Sequence, residues 1–262
     1  MVKQILLTGA TDGLGALAAS MLAQLGHKLI LLGRRKDALQ EIADRLSQKT
    51  DVTTYCSDLA HLEAVAETAD KIISSHQRID VIINNAGVLK AENTKTIDGL
   101  ELRFVVNMIA PYLLTKKLLP LVPSGGRIVN LSSAAQRPLE PMQISRFDVM
   151  TDMDAYAQSK LGITAWTRRL AQDHQDKVLV SVNPASLLGT KMVKQGFGIE
   201  GSDISVGADI ICEAALSESF SAANGLYYDN DAKCFAPPHD GALDDDLALA
   251  YMREMDAIIA RL

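Results

Sequence analysis

Short apolar runs of strand length alternate with longer segments of helical period from the N-terminus to about residue 182. This alternation is typical of parallel strands joined by helices, because a parallel pair of strands needs a long crossover connection. The chain therefore predicts one parallel sheet that is covered by helices. The predicted strands are Val2 to Leu7, Lys28 to Leu32, Val52 to Tyr55, Val81 to Asn84, Arg127 to Leu131, Val178 to Val182 and Gly225 to Tyr228.

Composition limits the classes of partner. The net charge is −6, with 26 basic against 32 acidic residues, so no basic surplus is available to bind a phosphate backbone and no nucleic-acid partner is expected. The longest uncharged stretch, Gly13 to His27, is too short and too polar to cross a bilayer, and no signal peptide follows Lys3. We expect no membrane span and a cytoplasmic location.

The residues that commonly bind metals show no metal-binding pattern. Cys56, Cys212 and Cys234 are odd in number and form no CxxC pair, so we expect all three to be buried apolar residues. The 5 histidines form no HxxxH or HExxH pair, and no GxSxG motif marks a serine hydrolase. The sequence therefore predicts a site without a metal ion.

The first predicted strand runs into a glycine-rich turn, and a helix begins at once. Glycines let the backbone turn tightly and approach a ligand, while the N–H groups at the start of a helix attract a pyrophosphate. A purely structural turn between strand and helix is the alternative. The candidate cofactor-binding residues of this turn are Gly9, Thr11, Asp12, Gly13, Leu14 and Gly15.

Three cations, Arg34-Arg35-Lys36, follow the second predicted strand. At this position dinucleotide folds contact the adenosine ribose, and an NAD-specific site commonly places an acid on the 2′-hydroxyl. No acid is present here, and the planar guanidinium of Arg34 suits a 2′-phosphate. Asp12 favours NAD(H) instead, because it adds a negative charge to the nearby glycine turn. The three cations could also be an ordinary solvated charge run at the start of a helix. We favour NADP(H) over NAD(H).

Tyr156 and Lys160 lie four residues apart in a segment with helical character, so both side chains share one face. A phenol ionises at a pKa of about 10 in water, and a nearby ammonium group lowers that pKa. The pair is therefore a candidate general acid/base with its own activator. Taken alone, the spacing is common, and it favours a surface tyrosine and a surface lysine over a catalytic pair.

Several motifs stand in an order that resembles the short-chain dehydrogenase/reductase family across residues 1 to about 190. The glycine spacing is similar to that of the compact oxidoreductase branch. The gap from Ser133 to Tyr156 and the ending Gly225 to Asn230 are similar to the retinol-dehydrogenase-like subgroup. The motifs are Thr8-Gly9-x-x-x-Gly13-x-Gly15, Asn84-Asn85-Ala86-Gly87, Asn107, Ser132-Ser133, Tyr156-x-x-x-Lys160 and Pro184.

The resemblance implies a role for each matched residue. Tyr156 would protonate the substrate oxygen, and Lys160 would lower the pKa of Tyr156 and hold the nicotinamide ribose. Ser133 would bind the substrate carbonyl, and Asn107 would hold a water that links Lys160 to solvent. Further cofactor contacts would come from Asp58, Leu59, Asn85, Ala86, Gly87, Pro184 and Thr190.

For some of these residues the sequence leaves the role open. Asn85 and Asn107, each taken singly, could equally be buried asparagines that tie strands or turns together. Ala185 stands where the family usually has glycine, and Thr190 lies one residue farther along than the family pattern expects. The role of Thr190 is therefore open.

These observations predict a single α/β domain, residues 1–262, with a doubly wound parallel sheet of the Rossmann type in the strand order 3-2-1-4-5-6-7. Residues 189–204 would form a mobile substrate lid, or alternatively a helix packed permanently on the domain, and residues 230–262 a C-terminal extension. The expected function is NADP(H)-dependent hydride transfer between the nicotinamide and a small carbonyl or alcohol substrate. A non-catalytic NADP(H)-binding sensor is the alternative, and the resemblance suggests a homodimer or homotetramer.

Overall fold

The computed structural model describes residues 1–262, and strands alternate with helices along the chain. The strands are β1 Gln4–Thr8, β2 Lys28–Gly33, β3 Val52–Cys56, β4 Val81–Asn84, β5 Arg127–Leu131, β6 Val178–Asn183, β7 Tyr227–Asp229 and β8 Cys234–Phe235. The helices are α1 Gly13–Gln24, α2 Lys36–Leu46, α3 Leu62–Ser75, α4 Leu102–Phe104, α5 Ala110–Leu118, α6 Asp152–Asp173, α7 Lys191–Phe197, α8 Ser205–Leu216, α9 Asp240–Leu243 and α10 Asp245–Ile259.

The sheet has the order β3-β2-β1-β4-β5-β6-β7-β8. Its first seven strands are parallel and have the predicted order, so the predicted fold class is confirmed. The sequence prediction omitted β8, which pairs with β7 in the antiparallel direction. A strand of two residues shows no periodicity that could reveal it, and the chain turns into it through Lys233, whose φ is 54°.

Helices cover both faces of the sheet, which explains why the central strands are continuous apolar runs. Successive side chains of a strand point to opposite faces, so Leu6 belongs to one hydrophobic cluster and Leu7 to the other. The first cluster includes residues of α3, α5, α6 and α10, and the second includes residues of α1, α2 and α8.

The end of the chain packs into the first of these clusters. Ala248, Tyr251 and Met255 of α10 are fully buried against α6 and its neighbours. Asp244 caps α10, since its Oδ1 accepts a hydrogen bond of 3.0 Å from the amide of Leu247. The acidic run at 244–246 is thus explained by the start of a helix, where negative charge is favoured.

One continuous helix, Leu102–Leu121, joins α4, a π-helical turn, α5 and a short 3₁₀ turn. Its length and composition would allow it to cross a membrane, a possibility that the sequence analysis did not identify. However, 67% of an apolar stretch of 18 residues within this helix is buried inside the fold. Core helices meet the same criterion, so this helix is weak evidence for a membrane span.

The expectation that all three cysteines are buried is wrong for two of them. Cys212 on α8 is buried, whereas Cys56 and Cys234 are exposed. Cys56 ends the edge strand β3, and Cys234 lies on the other edge strand, β8. Edge strands are only partly covered, so an apolar residue type did not suffice to predict burial there.

Candidate active site

The functional candidates converge at the carboxyl ends of the parallel strands. The glycine turn follows β1, the Asn85-Ala86-Gly87 segment follows β4, Ser133 follows β5 and Pro184 follows β6. Because these strands are adjacent and parallel, the residues that follow them meet at one edge of the sheet, where α/β folds bind their ligands.

The glycine turn packs so closely that it requires glycine at two positions. A Cβ on Gly9 would lie 2.9 Å from the Cα of Ala86, and a Cβ on Gly15 would lie 2.2 Å from the carbonyl oxygen of Gly9. Gly13 has a φ of 50°, a conformation that favours glycine. The turn is therefore built for close backbone approach at the start of α1.

Asn85 fixes this turn to β4. Its Nδ2 donates to the carbonyl oxygen of Thr8 at 2.9 Å. The Thr8 Oγ1 accepts hydrogen bonds from the amides of Asn85 and Ala86, at 3.1 and 3.0 Å. These contacts support a structural role for Asn85, the alternative that the sequence left open, and they place Ala86 and Gly87 beside the turn.

Asn107 lies in the π-helical turn Val105–Ile109 and is only 1% exposed. Its side chain exchanges two hydrogen bonds with Val88: Oδ1 accepts from the amide at 2.8 Å, and Nδ2 donates to the carbonyl at 2.9 Å. Nδ2 also donates to the Oγ of Ser159 at 2.9 Å. π-Helical turns are frequent at functional sites, yet these contacts equally fit a structural role, so the water-holding role stays a prediction.

Tyr156 and Lys160 share one face of α6, as their spacing predicted. The Nζ of Lys160 lies 5.5 Å from the centroid of the Tyr156 ring and donates to the carbonyl oxygen of Leu131 at 2.6 Å. Lys160 is only 4% exposed, and this burial lowers its pKa to about 8. The ammonium group is therefore mostly charged at neutral pH but close to losing its proton.

Burial also shifts the pKa of the Tyr156 phenol. It raises the pKa of Tyr156 above the ordinary value, and a hydrogen bond with the side chain of Ser133 opposes that rise. The phenol is thus protonated at neutral pH. The lowering of this pKa by Lys160, which the resemblance implied, stays a prediction.

Two residues that the sequence analysis did not identify hold the backbone of Ser133. The carbonyl oxygen of Ser133 accepts hydrogen bonds from the Nε2 of Gln136 at 3.0 Å and from the hydroxyl of Tyr227 at 3.1 Å. Tyr227 reaches Ser133 from β7. The only sequence signal for it was its position in the segment Gly225 to Asn230, which supported the resemblance.

The charges beside the glycine turn balance one another. Asp12 Oδ2 lies 2.5 Å from the Nζ of Lys191 and 4.0 Å from the guanidinium of Arg35. The hydrogen bond from Lys191 is the main cause that lowers the pKa of Asp12. The negative charge of Asp12, which the sequence analysis weighed against NADP(H), is therefore compensated in the fold.

A groove of about 300 Å³ runs beside this turn, and its charged lining is Asp12, Arg35, Glu41, Arg45 and Lys191. Arg35, rather than Arg34, lines this groove. Arg34 follows β2, and its carbonyl oxygen accepts a hydrogen bond from the Cys56 thiol on the neighbouring strand at 3.6 Å. The helix start and this set of cations fit a dinucleotide that carries phosphate groups.

Asp58 and Leu59, two of the candidate cofactor residues, lie after β3. Asp58 Oδ1 accepts a hydrogen bond from the amide of Ala60 at 3.0 Å, which closes a local turn. Leu59 packs partly against the first hydrophobic cluster. Both residues have a local structural role, and their contact with a cofactor stays a prediction.

The turn after β6 is strained. Ala185 has a φ of 120° and Leu187 a φ of 52°, both in the region that glycine tolerates best. The conformation at Ala185 is one that a glycine would adopt freely, which agrees with the usual family residue at this position.

Thr190 lies beside the glycine turn. Its Oγ1 accepts a hydrogen bond of 3.3 Å from the amide of Val193 and caps α7. Its Cγ2 lies 3.8 Å from the position that a Cβ on Gly13 would occupy. The structure thus gives Thr190 a capping role and places its methyl group close to the start of α1.

Residues 189–204, the expected lid, contain the short helix α7. The two ends of the segment are joined, because the amide of Gly189 donates to the carbonyl of Ser202 at 2.7 Å. Helix α7 lies over the site: the Cε of Met192 and the Nζ of Lys160 are both 3.7 Å from the position of a Cβ on Gly87. Within α7 only Val193 is buried, so the segment is helical but weakly packed.

The segment 136–154 borders the site on the other side and is irregular except for a short 3₁₀ turn, Pro141–Gln143, and the start of α6. Tyr251 of α10 holds it: its hydroxyl accepts a hydrogen bond from the amide of Leu139 at 3.1 Å and donates to the carbonyl of Leu139 at 2.8 Å. The C-terminal helix thereby fixes one wall of the site.

Comparisons with known proteins agree with this geometry. The family model described as short chain dehydrogenase matches residues 3–197. Retinol dehydrogenase 13 from Homo sapiens is 33% identical over 98% of the chain and 84% of that protein. Retinol dehydrogenase 14 from Mus musculus is 35% identical over 65% of the chain, and the matched part spans 56% of that protein's length.

A solved structure adds a bound cofactor to the comparison. A short chain dehydrogenase from Shigella flexneri, complexed with NADP, is 26% identical and superposes with a TM-score of 0.70, covering 87% of this chain and 97% of that one. The match of the family model and of retinol dehydrogenase 13 over most of the sequence, together with the fold, leads to one conclusion. The chain belongs to the short-chain dehydrogenase/reductase family of oxidoreductases.

Proposed function

We propose that the protein is an NADP(H)-dependent oxidoreductase that interconverts a small carbonyl compound and its alcohol. The observation that carries the proposal is the convergence of Ser133, Tyr156 and Lys160 beside the glycine turn. The side chain of Ser133 opposes the rise in the pKa of the Tyr156 phenol, and the Lys160 ammonium lies 5.5 Å from the centroid of the same ring. A proton donor, a group that orients it and a cation thus occupy one site.

Residues on both sides of the glycine turn would hold the cofactor, which supplies a hydride to the carbonyl carbon or accepts one from the alcohol. Gly9, Gly13 and Gly15 allow the backbone to approach its pyrophosphate at the start of α1. Gly87 and Lys160 lie together at the other end of the site, where Lys160 would bind the nicotinamide ribose.

The preference for NADP(H) is supported by charge. The run Arg34-Arg35-Lys36 directly after β2 contains no acid, and Arg34 would offer a forked donor to a 2′-phosphate there. Asp12 is paired with Lys191, so it does not leave an uncompensated negative charge beside the turn. The related Shigella flexneri protein, which is complexed with NADP, supports the same preference.

Tyr156 acts as the proton donor during reduction. Because burial raises its pKa, the phenol carries its proton at neutral pH and can give it to the oxygen of the substrate as the carbonyl is reduced. The Ser133 hydroxyl, whose backbone is held by Gln136 and Tyr227, orients the same oxygen. In the oxidation direction the tyrosine takes the proton back.

Helix α7 and the segment 136–154 supply the walls that exclude water from this site. Phe197 and Ile199 of the segment 189–204, and Leu187 just before it, are each 43–47% exposed and would offer apolar surface to a substrate. A site closed by such side chains favours hydride transfer over side reactions with water.

The experiment is a titration of the protein with NADPH, followed by measurement of NADPH absorbance decay with a panel of ketones, aldehydes and quinones. We expect NADPH to bind and to be consumed with at least one class of carbonyl compound. Binding without consumption across the panel would favour the non-catalytic sensor. A protein that binds neither NADPH nor NADH would overturn the proposal.

A further inference from the structure

The strained residue Ala185 directly follows Pro184, which is a candidate cofactor residue. An alanine at a φ of 120° is unfavourable by itself, because its Cβ is crowded in this region. Such strain persists only where the surrounding structure determines the conformation. The groups that determine the conformation of Ala185 must therefore be present nearby.

Two consecutive residues after β7, Asn230 and Asp231, hold the peptide groups on either side of Ala185. The Nδ2 of Asn230 donates to the carbonyl oxygen of Pro184 at 2.9 Å. Asp231 Oδ1 accepts from the amide of Ser186 at 2.8 Å, and its Oδ2 accepts from the hydroxyl of Ser186 at 2.6 Å. The φ and ψ angles of Ala185 are rotations of these two peptide planes, so the contacts fix both angles.

The holding residues are themselves fixed to the sheet. Asn183, at the end of β6, pairs with Asp229 at the end of β7. The Nδ2 of Asn183 donates to Asp229 Oδ1 at 2.8 Å and to Asp231 Oδ2 at 3.0 Å. Asn183 and Asn230 are 2% and 8% exposed, respectively. The segment Asp229 to Asp231, which we call the β7 clamp, is thus a rigid support for the turn.

The carboxylate of Asp231 strengthens these contacts. Burial alone would raise the pKa of Asp231, but the hydrogen bonds from Ser186 and Asn183 hold it below its ordinary value. The group is therefore charged at neutral pH, and hydrogen bonds to a charged acceptor are stronger than neutral ones.

We propose that Asn230 and Asp231 are positioning residues that hold the turn Pro184 to Leu187 in the shape that cofactor binding requires. They hold Ala185 in a conformation that a glycine at position 185 would adopt without support. The turn leads directly into Gly189 and Thr190, so the β7 clamp also sets where α7 begins. The inference rests on the proposed function, since it assigns the turn to the NADPH site.

The test combines variants of the β7 clamp with Ala185→Gly. NADPH affinity is measured by fluorescence titration, and the stability of the cofactor-free protein by denaturant unfolding. Asn230→Ala is expected to raise the Kd for NADPH about tenfold, the scale of a lost buried hydrogen bond. Asp231→Ala is expected to raise it about threefold, because its contacts with Ser186 are exposed.

Ala185→Gly is expected to rescue both variants. Glycine adopts a φ of 120° without support, so each clamp variant combined with Ala185→Gly should bind NADPH within about twofold of wild type. The matched control is Asp244→Ala, which removes the cap of α10 and should lower stability without changing the Kd. Ala185→Gly should change the stability of this control by the same amount as it changes that of wild type, as expected for independent sites.

Two results would overturn the proposal: an unchanged Kd in both clamp variants, or an increase that Ala185→Gly leaves in place. If the wild-type protein does not bind NADPH, the proposed function fails, and unfolding alone tests the clamp. Asn230→Ala should then lower the free energy of unfolding more in the Ala185→Gly background than in the wild-type background, because only an alanine at position 185 recovers strain energy when the contact is lost. Equal losses would refute the clamp. If Asn230→Ala does not fold, Ser186→Ala can replace it, because this variant removes one hydrogen bond to Asp231. Its smaller loss of NADPH affinity should likewise be restored by Ala185→Gly.

Discussion

The Nζ of Lys160 donates a hydrogen bond of 2.6 Å to the carbonyl oxygen of Leu131, at the end of β5. This contact holds an ammonium group inside the protein, where Lys160 is 4% exposed and its pKa falls from 10.5 to about 8. A charged group at this depth is unfavourable for folding. The fold therefore keeps Lys160 at some cost in stability, which is common for groups that serve a site.

Lys160→Met tests this burial through the pH dependence of stability. Between pH 8 and pH 10.5 the unfolded wild-type chain binds a proton that the folded protein has lost, so its free energy of unfolding gains a contribution that rises with pH. The variant lacks this contribution. From pH 7 to pH 10, wild type should gain about 2–3 kcal/mol relative to the variant in denaturant unfolding. Parallel curves would show that Lys160 is well solvated.

Arg34→Ala tests the choice of cofactor. Loss of a hydrogen bond to a charged group should weaken NADPH binding by about 1.5–3 kcal/mol, while NADH binding barely changes because it has no 2′-phosphate. Lys49→Ala removes the same charge from an exposed position after α2 and serves as the control. Equally tight binding of NADH and NADPH by the wild-type protein would contradict the preference for NADP(H).

Hydrogen exchange tests the expected lid at residues 189–204. Most of α7 is exposed, so its amides should exchange quickly in the cofactor-free protein and slow down with cofactor and substrate. Lys191→Ala, which breaks the pair with Asp12, should speed this exchange further. The buried strand β5 provides the reference peptide. Slow exchange that ligands do not change would show that the segment packs permanently on the domain.

Arg103→Met tests a buried ion pair that joins the start of α4 to the start of α6. Arg103 and Glu101 are each 1% exposed; the Arg103 Nε lies 2.9 Å from Glu101 Oε1, and its Nη1 lies 2.9 Å from Asp152 Oδ1. Removing Arg103 leaves the Glu101 carboxylate buried without its partner, which should lower the free energy of unfolding by about 3–5 kcal/mol.

The pH dependence of this loss has a defined sign. Burial raises the pKa of Glu101, and the charge of Arg103 opposes that rise, so the variant should raise the pKa further. Protonation of Glu101 then removes the buried charge, and the loss of stability in Arg103→Met should shrink as the pH falls.

The control is Arg169→Met, which breaks a more exposed pair with Asp173 and should lower the free energy of unfolding by less than about 1 kcal/mol. Equal losses in the two variants would argue against the buried pair.

The central strands were predictable because burial on both faces forces continuous apolar runs, as in Leu29 to Leu32. The pair Tyr156 and Lys160 was predictable because helical geometry alone brings residues four apart to one face. Strand β8 was not predictable, since two residues are too few to show the alternation of apolar and polar side chains that marks a strand. The predicted burial of Cys56 was wrong for a different reason, because an edge strand such as β3 is only partly covered.

The supporting residues of the site could not be read from spacing. Tyr227 contacts Ser133, and Asn230 contacts Pro184, only because β7 pairs with β6 in one register. Lys191 reaches Asp12 across 179 positions of the chain through the placement of α7 over the glycine turn. Such contacts depend on tertiary packing, so the sequence indicated the candidate reacting groups but not the residues that hold them.

The turnover number of Tyr156→Phe with NADPH tests the proposed mechanism most directly. The substitution removes only the phenolic hydroxyl, so the ring should stay packed and the Kd for NADPH should stay unchanged. Tyr55→Phe, which loses a hydroxyl that contacts His76 at the edge of the sheet, serves as the control and should keep its activity. We expect kcat to fall roughly 10²-fold or more for Tyr156→Phe. Near-normal kcat in a correctly folded Tyr156→Phe protein would contradict the proposed mechanism.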